Sequence, residues 1–283
     1  MNDLISNNSV TFLGTGGGRF VILSQRRYSG GMWLDFNNTK ILLDPGPGAL
    51  IRALQFHKDL GKLDAVLVSH NHLDHYNDAE VIIEGMTLGM KRTHGALAAT
   101  EETLDYISDY HKNKVNVIVP KINEKFTIAN KTGSLEIEAI PTYNHIGCGF
   151  KFFTGSGIVT YASDTGYSSE LIKNYMQSKV LILNVIFPRN TQIETHTNTE
   201  SALKIIKDAK PELAVIQHFG IQMLNANPKK EAKYIERESG IRTIAANDGM
   251  TIDVERADAA KSRTEESQLK LINFQKYDNK KYE

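Results

Sequence analysis

The stretch Ser69-His70-Asn71-His72-Leu73-Asp74-His75 constrains this chain more than any other. It sets four potential metal ligands, His70, His72, Asp74 and His75, within six residues. No single face of a helix or strand gathers four such side chains over so short a span, because helical neighbours recur every three or four residues and strand neighbours every two. The ligands therefore need a turn. The run before them, residues 64–69, reads Asp-Ala-Val-Leu-Val-Ser and suits a buried strand. A strand that ends in a tight turn can aim several side chains at one point. Three imidazoles and a carboxylate suit a divalent transition metal, zinc among them.

What surrounds this turn narrows the class. The 283 residues allow one large domain or two small ones, and 41% hydrophobic content supports a real core. Lys and Arg total 33, as do Asp and Glu, so the chain carries no global basic footprint for nucleic acid. The single cysteine, Cys148, excludes an internal disulfide framework and fits a reducing compartment. The first eight residues lack the basic and apolar regions of a signal peptide, and no apolar run approaches the ~20 residues of a membrane span. A soluble cytoplasmic protein with no membrane segment is expected.

Along the chain, a short strand at 10–13 runs into Gly14-Thr15-Gly16-Gly17-Gly18-Arg19. A dinucleotide-binding reading fails here, because Arg19 replaces the third glycine and no helical pattern follows. The glycines read instead as a permissive turn that brings backbone close to a loop wall or a substrate. A hairpin is expected around Asn37-Asn38, with Asp44 as a structural turn residue after it and a short helix at 49–57. Helices are expected at 78–90 and 100–111. Between them Arg92 and His94 are candidates to line a pocket for an anionic substrate. The run 134–140 alternates Leu135, Ile137 and Ala139 with Glu136 and Glu138, the pattern of a half-buried strand. Thr199 is the expected N-cap of a helix over 199–209. Residues 1–255 read as the folded domain. Residues 256–283, charged and poor in aliphatics, read as a helical or loosely ordered tail.

Ligand-capable residues recur where strand patterns end: His145, Asp164 and His218. Strand ends on one sheet edge can converge across a hundred residues of sequence. The ligand arithmetic suits two divalent metals, each needing about three terminal ligands and sharing a bridging carboxylate. His70, His72 and His145 can hold one; Asp74, His75 and His218 the other; Asp164 can bridge. Positions left open would take water, as a catalytic site requires.

This order of His-x-His-x-Asp-His followed by His, Asp and His resembles the metallo-β-lactamase superfamily of dinuclear hydrolases, over roughly residues 9–254. The resemblance implies a four-layer αββα sandwich, two mixed β-sheets face to face with helices outside. Phe12-Leu13-Gly14-Thr15-Gly16-Gly17-Gly18 and Glu194-Thr195-His196-Thr197-Asn198-Thr199 are similar to motifs of its ribonuclease Z-like phosphodiesterases, in which the histidine of the second motif assists catalysis. That role is carried to His196. Asn184 stands where ribonuclease Z has a Glu that pairs with this histidine, and no long Gly-, Pro- and Lys-rich arm for gripping tRNA is found.

The expected activity is hydrolysis of a small phosphodiester, such as a cyclic nucleotide, by two divalent metals. Zinc is the default, with manganese or iron tolerated by the same ligands. Asp74 would both bind metal and accept a hydrogen bond from the attacking hydroxide. Arg19, Arg92 and Arg189 are candidate phosphate or base contacts. Alternatives are RNA 3′-end cleavage, thioester or lactone hydrolysis of the glyoxalase II type, and a non-catalytic scaffold. A homodimer is the assembly the resemblance implies.

Overall fold

Short apolar runs bounded by turn residues build two sheets in the computed structural model, which describes residues 8–191 and 193–260. The first sheet begins with β1 (Ser9–Phe12), β2 (Met32–Phe36), β3 (Thr39–Leu43), β4 (Ala65–Val68), β5 (Ala96–Ala99) and β6 (Asn116–Ile118). The second takes β7 (Lys125–Ala129), β8 (Ser134–Pro141), β9 (Cys148–Thr154), β10 (Gly157–Tyr161), β11 (Ser178–Asn184), β12 (Leu213–Gln217) and β13 (Thr243–Ala245). The chain then returns to the first sheet with β14 (Thr251–Asp253) and β15 (Asp258–Ala259). The orders are β15-β14-β1-β2-β3-β4-β5-β6 and β13-β12-β11-β10-β9-β8-β7. Both sheets are mixed: β3 to β6 and β10 to β13 run parallel, and the remaining pairings are antiparallel.

Side-chain alternation decides what each face buries. On β4, Ala65 and Leu67 join the core between the sheets, while Val66 and Val68 join the core under the helices of the first sheet. On β11, Val180 and Ile182 point between the sheets, and Leu181 and Leu183 face the second helical layer. Strands buried on both faces must be apolar throughout, which is why these runs do not alternate with polar residues. β8 has one wet face: Leu135, Ile137 and Ala139 are fully buried and Glu136 is exposed. Phe36 and Phe152 meet across the central layer with ring centroids 5.5 Å apart.

Helices α1 (Arg19–Ser24), α2 (Ala49–Gln55), α3 (Leu73–Tyr76), α4 (Ala79–Met86), α5 (Glu101–Leu104) and α6 (Asp109–Lys112) belong to the first half. Helices α7 (Ile172–Tyr175), α8 (Thr199–Ala209), α9 (Ile221–Ala226) and α10 (Pro228–Ser239) belong to the second. On α8, Ala202, Ile205, Ile206 and Ala209 form the buried stripe. Each isoleucine contributes roughly 1.5–3 kcal/mol by leaving water. The N-cap of α8 is Asn198, whose side chain accepts from the Ser201 amide at 2.8 Å; Thr199 is the first helical residue. The helix expected over 78–90 stops at Met86, because Leu88, Gly89 and Met90 adopt left-handed backbone. The helix expected over 100–111 is two single turns, α5 and α6. A helix does follow the glycine turn, α1, contrary to the sequence pattern. β15 lies within the segment assigned to the tail and pairs with β14; residues 261–283 fall outside the described residues. No described helix is long and apolar enough to cross a membrane.

Candidate metal centre

The parallel strands bring chemistry to one edge. β3, β4, β10, β11 and β12 all point their C-terminal ends there; β11 ends in Asn184, and the loops that leave the others carry Asp44, residues 69–75, Ser163-Asp164 and His218. Four non-glycine residues at or beside the site hold left-handed backbone: Asp44 (φ 53°), Asn144 (φ 50°), Ser163 (φ 60°) and His218 (φ 63°). Such conformations cost on the order of 1–3 kcal/mol each and persist only where surrounding packing imposes them.

Seven side chains converge in two clusters. His70, His72, His145 and Asp164 form one, and Asp74, His75 and His218 the other; within each, the ligand atoms lie within 4.8 Å of one another. Asp164 reaches the second cluster too, with Oδ2 at 3.8 Å from His75 Nε2 and Oδ1 at 3.6 Å from His218 Nδ1. His218 Nε2 lies 3.1 Å from His75 Nε2 and 3.2 Å from Asp74 Oδ2. His70, His72 and His145 thus lie together with Asp164, and Asp74, His75 and His218 lie together beside it.

A residue that sequence reasoning treated as a turn former organises much of this. Asp44 is buried and accepts four hydrogen bonds: from the Ser69 amide (2.7 Å), Ser69 Oγ (2.8 Å), His75 Nδ1 (2.9 Å) and the Tyr161 hydroxyl (2.7 Å). Ser69 Oγ donates to Asp44, so it accepts from His70 Nδ1 at 3.0 Å. His145 Nδ1 likewise donates to the Ile146 carbonyl at 3.1 Å. In all three histidines the Nδ1 proton is engaged and Nε2 is turned toward the cluster. Outer partners of this kind fix the tautomer of a metal-binding imidazole. Register explains how a distant aspartate does it: Leu43 pairs with Leu67 in the parallel β3–β4 ladder, so Asp44 emerges beside Ser69.

The electrostatics follow from crowding. Burial lowers the pKa values of His70, His72 and His145, so these rings are neutral and able to ligate. Burial also disfavours the His75 cation, but Asp44, Asp74 and Asp164 outweigh it and raise His75 to about 10. Burial would raise Asp74, yet His75 and His218 hold it far below the carboxylate range. Asp164 is held well below that range against its burial, by His218, His75 and His196. His70 Nε2 and His218 Nδ1 are buried with no hydrogen-bond partner among the described residues. A buried imidazole nitrogen without a partner is costly, and a cation on its lone pair removes that cost. The donor set of imidazoles and ionised carboxylates, in which a divalent cation would take the place of the His75 proton, therefore fits a divalent metal ion.

Glycine makes room for the convergence at two positions. A Cβ on Gly17 would overlap the His218 ring, and one on Gly147, whose φ is +86°, would overlap Ser69 and His70. The backbone approach expected of the glycine turn is thus made to a ligand ring. Next to Gly17, the Gly18 amide donates to Asp74 Oδ2 at 3.0 Å.

The remaining expectations divide. His196 Nε2 lies 3.5 Å from Asp164 Oδ2, and its ring is 4.9 Å from that of His145, so it borders the first cluster. Thr197 anchors this loop by donating to the Thr165 carbonyl at 2.7 Å. Asn184 does not pair with His196. It donates to Asp164 Oδ1 (2.6 Å) and to the Tyr161 hydroxyl (3.0 Å), and accepts from Gln217. Arg19 is exposed at the start of α1, one residue from Gly18. Arg189 forms a bidentate ion pair with buried Glu231 of α10, at 3.0–3.2 Å, and stacks on Tyr234. Arg92 and His94 are at the opposite edge. They precede β5, whose Ala96 pairs with Ala65 at the start of β4, and they donate to the carbonyls of Gly61, Met86 and Leu63.

Known proteins place this arrangement. An uncharacterized protein of Methanocaldococcus jannaschii is 32% identical over 259 residues, covering 87% of this chain and 94% of that one. A ribonuclease Z of Methanopyrus kandleri is 36% identical over 101 residues, 35% of each chain. Among solved structures, the metallo-β-lactamase fold protein YhfI of Bacillus subtilis superposes with a TM-score of 0.73 at 20% identity, covering 87% of this chain and 99% of that one. Residues 39–219 match the family described as the beta-lactamase superfamily domain. With its paired sheets and clustered histidines, the chain belongs to that superfamily, in its metal-dependent hydrolase fold.

Proposed function

We propose that the protein is a dinuclear metal-dependent phosphodiesterase acting on a small phosphodiester such as a cyclic nucleotide. The observation that carries this reading is the position of Asp164, which reaches both ligand clusters while His196 borders it from a third side. Its residents would be two divalent cations, zinc by default and manganese or iron by ligand type, one held by His70, His72 and His145, the other by Asp74, His75 and His218, with Asp164 shared. Such cations, when bound, acidify a water nucleophile and neutralise charge on phosphate oxygens.

The chain's own groups do the rest. Asp74, fixed by the Gly18 amide and His218, accepts a hydrogen bond from the nucleophile and holds it in line with phosphorus. His196, steadied by Thr195 Oγ1 at 2.9 Å from Nδ1 and with Nε2 3.5 Å from Asp164 Oδ2, passes a proton to the leaving oxygen. Asn184 keeps Asp164 in place with an uncharged donor. Arg19, exposed beside Gly18, meets a phosphate or base at the rim. A net charge of zero favours a small substrate over a long polyanion. Cleavage at an RNA 3′ end is the second reading, supported by the partial ribonuclease Z relative. Self-association as a homodimer is proposed through α1, where Phe20 and Leu23 are 72% and 83% exposed; sedimentation at two concentrations tests it.

The functional test is metal analysis with turnover of bis(p-nitrophenyl) phosphate, followed by a panel of cyclic nucleotides, precursor tRNA and a thioester. Two metals per chain with cyclic nucleotide hydrolysis supports the proposal. Turnover of the thioester alone would replace it with a glyoxalase-like reading, and tightly bound metal without any turnover would leave a scaffold.

A further inference from the structure

Arg92 and His94, from a Lys-Arg-Thr-His run that the metal centre does not use, line a cavity of about 750 Å³. Its walls come from β3, β5 and β6 of the first sheet and from β7 with the turn that follows it. The volume lies within the ~300–1,000 Å³ of small-molecule sites. The cavity sits where β4 and β5 begin, and the metal turn leaves the far end of β4. The two sites are therefore separated by roughly the length of a four-residue strand, ~13 Å.

The cavity is cationic by construction. Four cations line it, Lys40, Lys62, Arg92 and Lys131, against one carboxylate, Asp64, which already accepts from the Lys40 amide at 2.8 Å. Lys40 and Lys62 also reach Asp35 (2.9 Å) and Asp59 (3.4 Å), which lie outside the lining. Arg92 is the fixed element. Its Nη2 donates to the Gly61 and Met86 carbonyls at 2.7 and 2.8 Å, so the guanidinium plane is held, while Nη1 makes no hydrogen bond among the described residues. A guanidinium already immobilised loses little further entropy on binding an anion. His94 adds a different function: Nε2 donates to the Leu63 carbonyl at 2.9 Å, which leaves Nδ1 as an acceptor. A fixed cation beside a hydrogen-bond acceptor suits a ligand that carries both an anion and a hydroxyl.

We propose that this cavity is a second binding site, for a phosphorylated sugar or nucleotide, with phosphate on Arg92 and Lys131 and a sugar hydroxyl on His94. The proposal does not depend on the reaction catalysed at the metal centre. Isothermal titration of the metal-free full chain with adenosine 5′-monophosphate, ribose 5-phosphate and adenosine tests it. Both phosphates are expected to bind, and uncharged adenosine at least tenfold more weakly. The double variant Lys62→Glu/Lys131→Glu, changed at two exposed positions, should lose at least tenfold in affinity for both phosphates. His72→Ala, at the metal centre, should bind them as the parent does. Absence of binding by the parent, unchanged affinity in the double variant, or loss in His72→Ala, which would put the ligand at the metal centre, each overturns the assignment.

Discussion

Replacing Asp44 by Asn isolates the hydrogen-bonding role of that carboxylate. Asparagine has the same shape and tolerates the left-handed backbone held at this position, φ 53°, so the chain path is kept. Its amide oxygen can still serve the three donors at Oδ2, which are Ser69 Oγ, His75 Nδ1 and the Tyr161 hydroxyl. Its amino group must then face the Ser69 amide, which now donates to Oδ1 at 2.7 Å. One buried N–H is orphaned, at roughly 1–3 kcal/mol. Three charge-assisted bonds become neutral, each weaker by about 1 kcal/mol. Relief from burying a carboxylate offsets part of this, leaving a net destabilisation of about 2–4 kcal/mol in the metal-free protein. With the Nδ1 partner of His75 weakened and Ser69 loosened, metal affinity should fall roughly 10–100-fold. Urea unfolding in EDTA gives the first number, and competition with a chromophoric chelator the second. A stability within about 0.5 kcal/mol of the parent, together with unchanged metal affinity, would refute the role given to Asp44.

In the metal-free protein His75, raised to about 10 from an ordinary 6.5, stabilises the fold fully below about pH 6.5, and this contribution is lost as pH rises through about 10. Asp74 and Asp164, held low, contribute above the ordinary carboxylate range near 4 and lose that contribution as pH falls. Urea midpoints should therefore decline from neutral pH toward 10, and a rise there would contradict the assignment. Metal binding at pH 7 should expel at least one proton per chain, that of His75, while His70, His72 and His145 are already neutral; titration in buffers of different ionisation enthalpy counts the release. His196→Ala should lower phosphodiester turnover about 10²–10⁴-fold with metal content unchanged, and metal loss in that variant would make His196 a ligand instead. Gly17→Ala, whose Cβ overlaps the His218 ring, should weaken metal binding about tenfold or more at the second cluster, read by metal analysis after dialysis.

The metal turn was legible because its four ligands are crowded into six residues, and His145, Asp164 and His218 because they end strand-like runs. What the sequence hid depends on strand direction and register. Asp44 precedes Ser69 by 25 residues, and only the parallel β3–β4 ladder sets them side by side. Arg92 and His94 looked like pocket residues, and they are, but because they enter β5 rather than leave it they belong to the other edge. Arg189 resembled a free cation until folding brought Glu231, 42 residues on, against it. Asn184 looked like a weakened partner for His196; the parallel pairing of β11 with β10 sets it beside Asp164 and Tyr161 instead. The helix of 78–90 was overextended because nothing in its apolar spacing marks where the backbone turns left-handed, and that of 100–111 because its spacing does not mark the break between Leu104 and Asp109.

The spread of the ligands along the chain has a consequence for biosynthesis. His75 and His218 stand 143 residues apart, yet their Nε2 atoms are 3.1 Å apart in the folded protein. At ~5–20 residues per second, a ribosome takes roughly 7–29 s to travel between them. During that interval the nascent chain gains β7 to β11 with His145 and Asp164, while Asp74 and His75 still lack His218. A cation captured then would sit on an open, flexible half-site and exchange with its surroundings. Firm loading waits until β12 has docked and the Gly17 turn has closed over His218, so metal selection falls to the finished fold and to the cations available when synthesis ends.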